Sequence, residues 1–438
     1  MKKAVIIGSG LAGIIGAKIL VKNGFEVTII ENSNSIGGLI NSIKINDNYF
    51  DHGAHMLQET IDENINKIIF KDLKKNCFQY EYLPQEHFFR DKWYSKSSYL
   101  NLRHLNSKEF NQIYKQIMLQ NQKKDKEFFK NEKERCLSIY GSRFTLKIIA
   151  PLLKNYTGHN ISELPPFTKE RFNLSRIIIA NEKETNKLKK NNYLDKILAF
   201  NSYKKGISGR KNFYPKKQGI NFLINLFLDQ KILKKIKILT NQNVISLKVK
   251  RKKIHLIETN KEKIKSDLLI WTGNSEYLEN LITSKVAKKE KKVKKVYWSF
   301  YHFISKKKLR KKVFYSYIYD EKIPIHRITH YDNFQINNKK NKNYRYTIEN
   351  INRRGIDHYH EKEIIESLID LKIINNKNEI KLLKKYSIPI PLKKNKYNLS
   401  KSIKLINNLI LLGQAANKFS KSEIIEDTFN KLNKTKIN

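Results

Sequence analysis

The chain has 438 residues, 40% of them apolar, and a formal net charge of +46. That length is more than one compact core usually holds, and the apolar fraction excludes a disordered chain, so two intimately connected domains are expected. Two cysteines, Cys77 and Cys136, exclude a disulfide framework, form no metal-ligand spacing and fit a reducing compartment.

So high a charge would ordinarily point to nucleic acid or an anionic surface. The basic residues are overwhelmingly Lys, however, and they accompany an excess of Asn and Ile, the combination that AT-rich codons favour. Lysine runs at 250–253, 288–295, 306–312 and 338–342 lie scattered between apolar strands, which marks solvated faces and loops. No specific nucleic-acid partner is expected. The field would still draw anionic small molecules, nucleotides or acidic lipid at low salt, so the partners expected are an anionic small-molecule substrate and, peripherally, an anionic membrane surface. No run reaches the roughly 18 apolar residues that cross a bilayer. The N-terminal MKKAVIIGSGLAGIIGAKILV resembles a signal peptide only superficially, because its glycines and its strand-helix-strand period account for it better. The chain reads as cytoplasmic.

In chain order, Ala4 to Ile7 is a short buried strand that stops at Gly8-Ser9-Gly10-Leu11-Ala12-Gly13, the spacing G-x-G-x-x-G. Gly8 permits the tight exit, Gly10 lets a pyrophosphate approach the backbone, and Gly13 lets the next helix lie close to the strand. The residues Ile14 to Lys22 have helical apolar spacing, Asn23-Gly24 is a stop signal, and Phe25 to Ile30 is a second buried strand. Glu31 ends that strand where an acid can accept hydrogen bonds from a ribose diol. An isolated glycine motif would be an ordinary turn; with both flanking elements and the acid it predicts a dinucleotide site.

After Glu31 come paired glycines, Gly37-Gly38, followed by Leu39, and then Phe50-Asp51-His52-Gly53-Ala54-His55. This arrangement resembles the extended FAD signature of the flavin-containing amine oxidase superfamily, whose members include UDP-galactopyranose mutases, protoporphyrinogen oxidases and carotenoid desaturases. The resemblance implies that the second glycine turn runs beside the pyrophosphate and ribityl chain. It also implies that the Asp-x-Gly-x-His loop, with Gly53 and His55, passes the flavin ring. His55 could equally be a structural loop histidine.

Residues 58–205 have helical spacing and few glycines, and predict a mostly helical insertion. Within it Pro151, Lys154 and Gly158 loosely resemble a segment lining the substrate side of mutase-like flavoproteins; a helix ending in a Gly-His-Asn turn explains them equally well. Phe213-Tyr214-Pro215 to Gln218-Gly219 resembles the superfamily's Tyr-Pro-x-x-Gly-Gly return to the FAD domain, with Gln218 in place of a glycine. Alternating strands follow, and by resemblance Val244 holds the adenine through its backbone. From Val296 to Ile351 aromatic and β-branched alternation predicts a second, antiparallel sheet. There Ile323-Pro324-Ile325-His326-Arg327-Ile328 resembles a mutase strand that aims an arginine at the substrate. Arg327 suits a bidentate clamp on a carboxylate or pyrophosphate, or else a salt bridge. Tyr386-Ser387-Ile388-Pro389 resembles the entry to the last cofactor segment, and Asn408 to Ala416 its closing strand and turn, with Gly413 kept and Gln414 replacing the family's arginine.

The fold class expected is α/β: a Rossmann-like FAD-binding domain assembled from 1–57, 206–275 and 386–438, with an inserted substrate domain made of the helical part 58–205 and the sheet 276–385. FAD is the expected cofactor and no metal is. The resemblance implies an FAD-dependent oxidoreductase or a mutase-like enzyme of nucleotide-sugars, with Arg327 and His55 as candidate catalytic residues. The alternatives are an oxidase or desaturase of an amine, porphyrin or polyprenyl substrate, and a basic binding protein that has lost flavin turnover.

Overall fold

The computed structural model describes residues 1–53, 56–120, 128–200, 209–283, 295–335, 343–355, 360–392 and 400–435. They divide into two compact units, the first made of Met1–Tyr80, Arg210–Lys291 and Asn395–Asn438, the second of Glu81–Gly209 and Lys292–Lys394.

The first unit is built on a five-stranded sheet of β1 (Lys3–Ile7), β2 (Glu26–Ile30), β3 (Ile236–Leu239), β4 (Leu268–Trp271) and β5 (Leu409–Leu411). The strand order is β3-β2-β1-β4-β5 and every pairing is parallel. Val5, Ile6, Leu269 and Ile270 are almost fully buried, as expected of strands covered on both faces. Helix α1 (Leu11–Lys22) connects β1 to β2, and α2 (Lys421–Leu432) packs on it: a Cβ at Gly16 would lie 3.2 Å from Leu432 Cδ1. Asn23, which caps α1, donates from Nδ2 to the carbonyls of Leu432 and Thr435 at 2.9 and 3.0 Å. An antiparallel sheet of Val244–Lys250, Lys253–Thr259 and Lys263–Lys265 and a hairpin of Ser42–Ile45 with Asn48–Asp51 complete the frame around the glycine turns.

The second unit carries a seven-stranded sheet in the order 380–391, 295–305, 344–352, 327–330, 315–318, 85–89, 92–95. All neighbours are antiparallel except 315–318 with 85–89. One face packs Phe303, Ile328 and Ile348 against Ile364 and Leu368 of the helix Glu361–Asp370. The helices Ser107–Gln120, Glu132–Tyr140 and Ala150–Thr157 belong to the same unit. Before the last of these, Thr145–Ile149 widens to a π turn; Pro151, with no N–H to donate, interrupts the normal ladder there.

Two segments depart from the sequence reading. The stretch 58–205 is not simply helical: Cys77–Tyr80, Gln85–Phe89, Lys92–Ser95 and Leu100–Asn101 are strands, and Gln85–Phe89 joins the large sheet. Residues 386–391, expected to open the last cofactor segment, instead continue the strand Ile380–Pro391, where Tyr386 pairs with Phe300. An edge strand that alternates polar and apolar residues looks the same in either location. The lysine runs at 288–294 and 338–342 lie outside the described residues.

Candidate functional site

In the first unit the two glycine turns meet. Gly8 has φ +95°, and a Cβ there would lie 2.3 Å from Thr272 Oγ1 at the end of β4. A Cβ on Gly13 would be 2.0 Å from the Gly8 carbonyl oxygen. Both positions therefore require glycine. Gly10 is different: it has φ −66°, nothing lies within 4 Å of a Cβ placed there, and it caps the N-terminus of α1. The space that its missing side chain leaves is open and faces the positive end of a 12-residue helix with no acid in its first turn.

The second turn folds onto the first. Gly37, at φ +116°, donates its amide to the Ser9 carbonyl at 3.0 Å, and a Cβ on Gly38 would be 3.3 Å from Gly10 Cα. A third segment closes on the same helix end: Gly413, at φ +57°, has room only for a Cβ lying 3.1 Å from Ala12 Cβ. Leu11 and Ala12 are buried beneath the turns, whereas Leu39 and Gln414 are exposed.

Glu31 lies at the end of β2 as expected. One carboxylate oxygen accepts from the Ser9 amide and hydroxyl at 2.9 and 2.6 Å, the other from the Ser33 amide and hydroxyl at 2.9 and 2.8 Å. Burial opposes the charged form, but these donors outweigh it and hold the carboxyl below its usual range. Ser9 and Ser33 were not singled out in the sequence; they fill variable positions of the motif. The Val244 carbonyl is also engaged, accepting from the Tyr277 hydroxyl at 2.6 Å. No spacing rule pointed to Tyr277.

Asp51 is buried and structural. It accepts from Ser42 Oγ at 2.7 Å, Tyr214 OH at 2.7 Å and the Ile220 amide at 3.0 Å, tying the hairpin to the returning chain. Gln218 keeps the left-handed backbone of the glycine it replaces, with φ +60°. Gly53, beyond Asp51, is buried and has φ +101°; His55 lies outside the described residues.

In the second unit Arg327 does form a bidentate carboxylate pair, but with Glu349, directly opposite it on the neighbouring strand. Its Nε and Nη2 donate to Glu349 at 2.8 and 2.6 Å, and Nη1 donates to Tyr317 OH at 3.2 Å. Trp298 Nε1 donates to the same carboxylate at 2.7 Å, and the Glu349 side chain is fully buried. The fork expected to grip a substrate is thus spent inside the sheet. Among the described residues no cluster of His, Cys, Asp and Glu could hold a metal ion, and no helix is long and apolar enough to cross a membrane.

Comparison with known proteins agrees with this geometry. Residues 6–73 match the NAD(P)-binding Rossmann-like domain family. Over 65 residues the chain is 42% identical to the 1-hydroxycarotenoid 3,4-desaturase of Flavobacterium sp. (strain P99-3), covering 14% of this chain and 13% of that enzyme. Over 92 residues it is 30% identical to the 4,4'-diapophytoene desaturase of Staphylococcus aureus (strain COL), covering 21% of this chain and 18% of that one. These alignments therefore span less than a fifth of either relative. Among solved structures, reduced UDP-galactopyranose mutase aligns with a TM-score of 0.71 at 13% identity, over 99% of this chain and 96% of the other. Residues 6–73 thus match an NAD(P)-binding Rossmann-like domain, and the chain as a whole has the fold of UDP-galactopyranose mutase.

Proposed function

We propose that the protein is an FAD-dependent oxidoreductase. The observation that carries this reading is the convergence of Gly8–Gly13, Gly37–Gly38 and Gly413 around one helix N-terminus, with open space at Gly10. The amides at that terminus and the bare Gly10 backbone would take the pyrophosphate. Glu31, kept ionised by Ser9 and Ser33, would take ribose hydroxyls in exchange for the two serine hydroxyls, and the Gly413-Gln414 turn would supply backbone amides towards the flavin end. Bound FAD would supply the two-electron redox centre.

For the substrate, the engagement of Arg327 by Glu349 and Tyr317 disfavours a nucleotide-sugar held by that arginine. Oxidation or desaturation of an amine, porphyrin or polyprenyl compound is therefore our leading assignment, and the two carotenoid desaturase relatives support its polyprenyl branch. A mutase reading on nucleotide-sugars retains support from the extent of the fold likeness to UDP-galactopyranose mutase.

The absorption spectrum of the purified protein tests the cofactor assignment: a flavin spectrum, present on isolation or after adding FAD, is expected, and its absence in both cases overturns the proposal. Assaying the oxidised protein for oxygen-coupled turnover and the reduced protein with UDP-sugars then separates the two substrate readings. If flavin is absent, binding to anionic vesicles that weakens with salt would support the remaining alternative, a basic binding protein.

A further inference from the structure

Within the second unit, remote in sequence from the glycine turns, lies a cavity of about 230 Å³ that the proposed chemistry does not use. Its walls carry Arg135, Lys169 and Lys196 against a single carboxylate, Glu170, together with apolar surface from Phe129 and Ile139. The Arg135 side chain is only 5% exposed. Its Nε and Nη2 are engaged by Glu132 at 3.1 and 2.9 Å, and Nη2 also reaches both Glu170 oxygens at 2.6 and 2.7 Å. Among the described residues Nη1 makes no hydrogen bond. Lys169, buried beside it, donates to Tyr140 OH at 3.1 Å and to the Leu174 and Ser175 carbonyls at 3.0 and 3.3 Å, and pairs with Glu170 at 3.2 Å. Glu132 and Glu170 offset two of the three positive charges of Arg135, Lys169 and Lys196, leaving one net positive charge.

A second observation concerns the cavity's edge. Phe167, one of its lining residues, has φ +68°, a backbone conformation that bulky side chains rarely adopt, and the residue is 48% exposed. The ring stacks 4.5 Å from the Arg135 guanidinium. An exposed aromatic ring is thus held over the arginine by a strained backbone, where an apolar group could pack against it.

We propose that this cavity is a binding site for a small organic carboxylate with an apolar body, its charge meeting Arg135 Nη1 and its body lying along Phe167 and Ile139. A cavity of about 230 Å³ suits a ligand of that size.

Isothermal titration of the full-length protein with sodium benzoate, and separately with inorganic phosphate, tests the proposal. Benzoate is expected to bind the unaltered protein once and phosphate much more weakly. Arg135→Lys keeps a charge but loses the free Nη1, so it should weaken benzoate about tenfold, the loss of one charge-assisted hydrogen bond. Phe167→Gly suits the left-handed backbone and folds without strain, yet removes the stacking ring, so it should weaken benzoate several-fold. If Arg135→Lys does not fold, Phe167→Gly alone decides. Absence of benzoate binding, unchanged affinity in either folded variant, or phosphate binding as tight as benzoate would overturn the site. Benzoate affinity that persists in both variants would mean that it binds elsewhere, and the proposal fails on that outcome too.

Discussion

The Gly37 amide donates to the Ser9 carbonyl at 3.0 Å and lies 3.3 Å from the Ser9 hydroxyl, so the second glycine turn is fastened onto the first. Glu31 holds the other side of Ser9 through its amide and hydroxyl. Glu31 and Gly37, 22 and 28 residues beyond Ser9, are thereby brought onto the first turn beside Gly10.

Gly10 and Gly13 should separate binding from folding. Nothing lies within 4 Å of a Cβ at Gly10, so Gly10→Ala should leave the unfolding midpoint unchanged. The methyl would occupy the pyrophosphate's approach and weaken FAD by about 2–3 kcal/mol, roughly a hundredfold. Gly13→Ala places its methyl 2.0 Å from a backbone oxygen and should instead destabilise the fold itself by about 3 kcal/mol. Flavin titration and denaturant melts of the two variants check this.

Gln218 occupies a left-handed conformation that glycine adopts freely. Gln218→Gly should therefore stabilise the protein by about 0.5–1 kcal/mol, measured by urea denaturation. The neighbouring Gly219→Ala should do the opposite, since its Cβ would lie 2.3 Å from Ser42 Oγ and 2.7 Å from Asp51 Oδ1.

The Arg327–Glu349 pair should behave as structure. The Glu349 side chain is fully buried, and removing it with Glu349→Ala strands the arginine and the Trp298 indole donor. A loss of about 3–5 kcal/mol is expected in chemical denaturation. A wild-type melting curve with activity lost would instead restore Arg327 to the substrate.

Two buried histidines predict acid sensitivity. His87 Nδ1 lies 2.9 Å from the Ser97 carbonyl, and its Nε2 accepts from the Asn101 amide at 3.2 Å, an arrangement that needs the neutral ring. His330 Nε2 lies 2.9 Å from Ser316 Oγ, which donates to Glu86, and its Nδ1 is buried without a partner. Burial pushes His87 down to about 4 and His330 to about 3, from an ordinary 6.5. The unfolded chain binds the protons first, so the stability due to these neutral rings is present above pH 6.5. It is lost as pH falls towards 4 and then 3, at up to about 1.4 kcal/mol per pH unit for each ring. Unfolding midpoints measured between pH 7 and 4.5 should fall accordingly, and less steeply in His330→Gln.

Cys77 and Cys136 are buried free thiols, and burial pushes Cys77 up to about 12. Neither should react with a thiol reagent at pH 8 until the protein is unfolded.

Much of the glycine-turn region was legible because its signals are local. A glycine at φ +95° or a helix starting after Gly10 leaves its mark within a few residues, and the strand-helix-strand period around Gly8 to Glu31 predicted the elements that form. Sequence alone likewise indicated the α/β class and the aromatic second sheet. Only the tertiary structure decided what each polar group faces. Arg327 read as a clamp because its strand motif was visible, while Glu349, 22 residues further on, becomes its partner only through antiparallel register. Ser9, Tyr277 and the pairing of Arg135 were hidden for the same reason: a side chain's role depends on which distant groups fold against it, and local spacing carries no record of that.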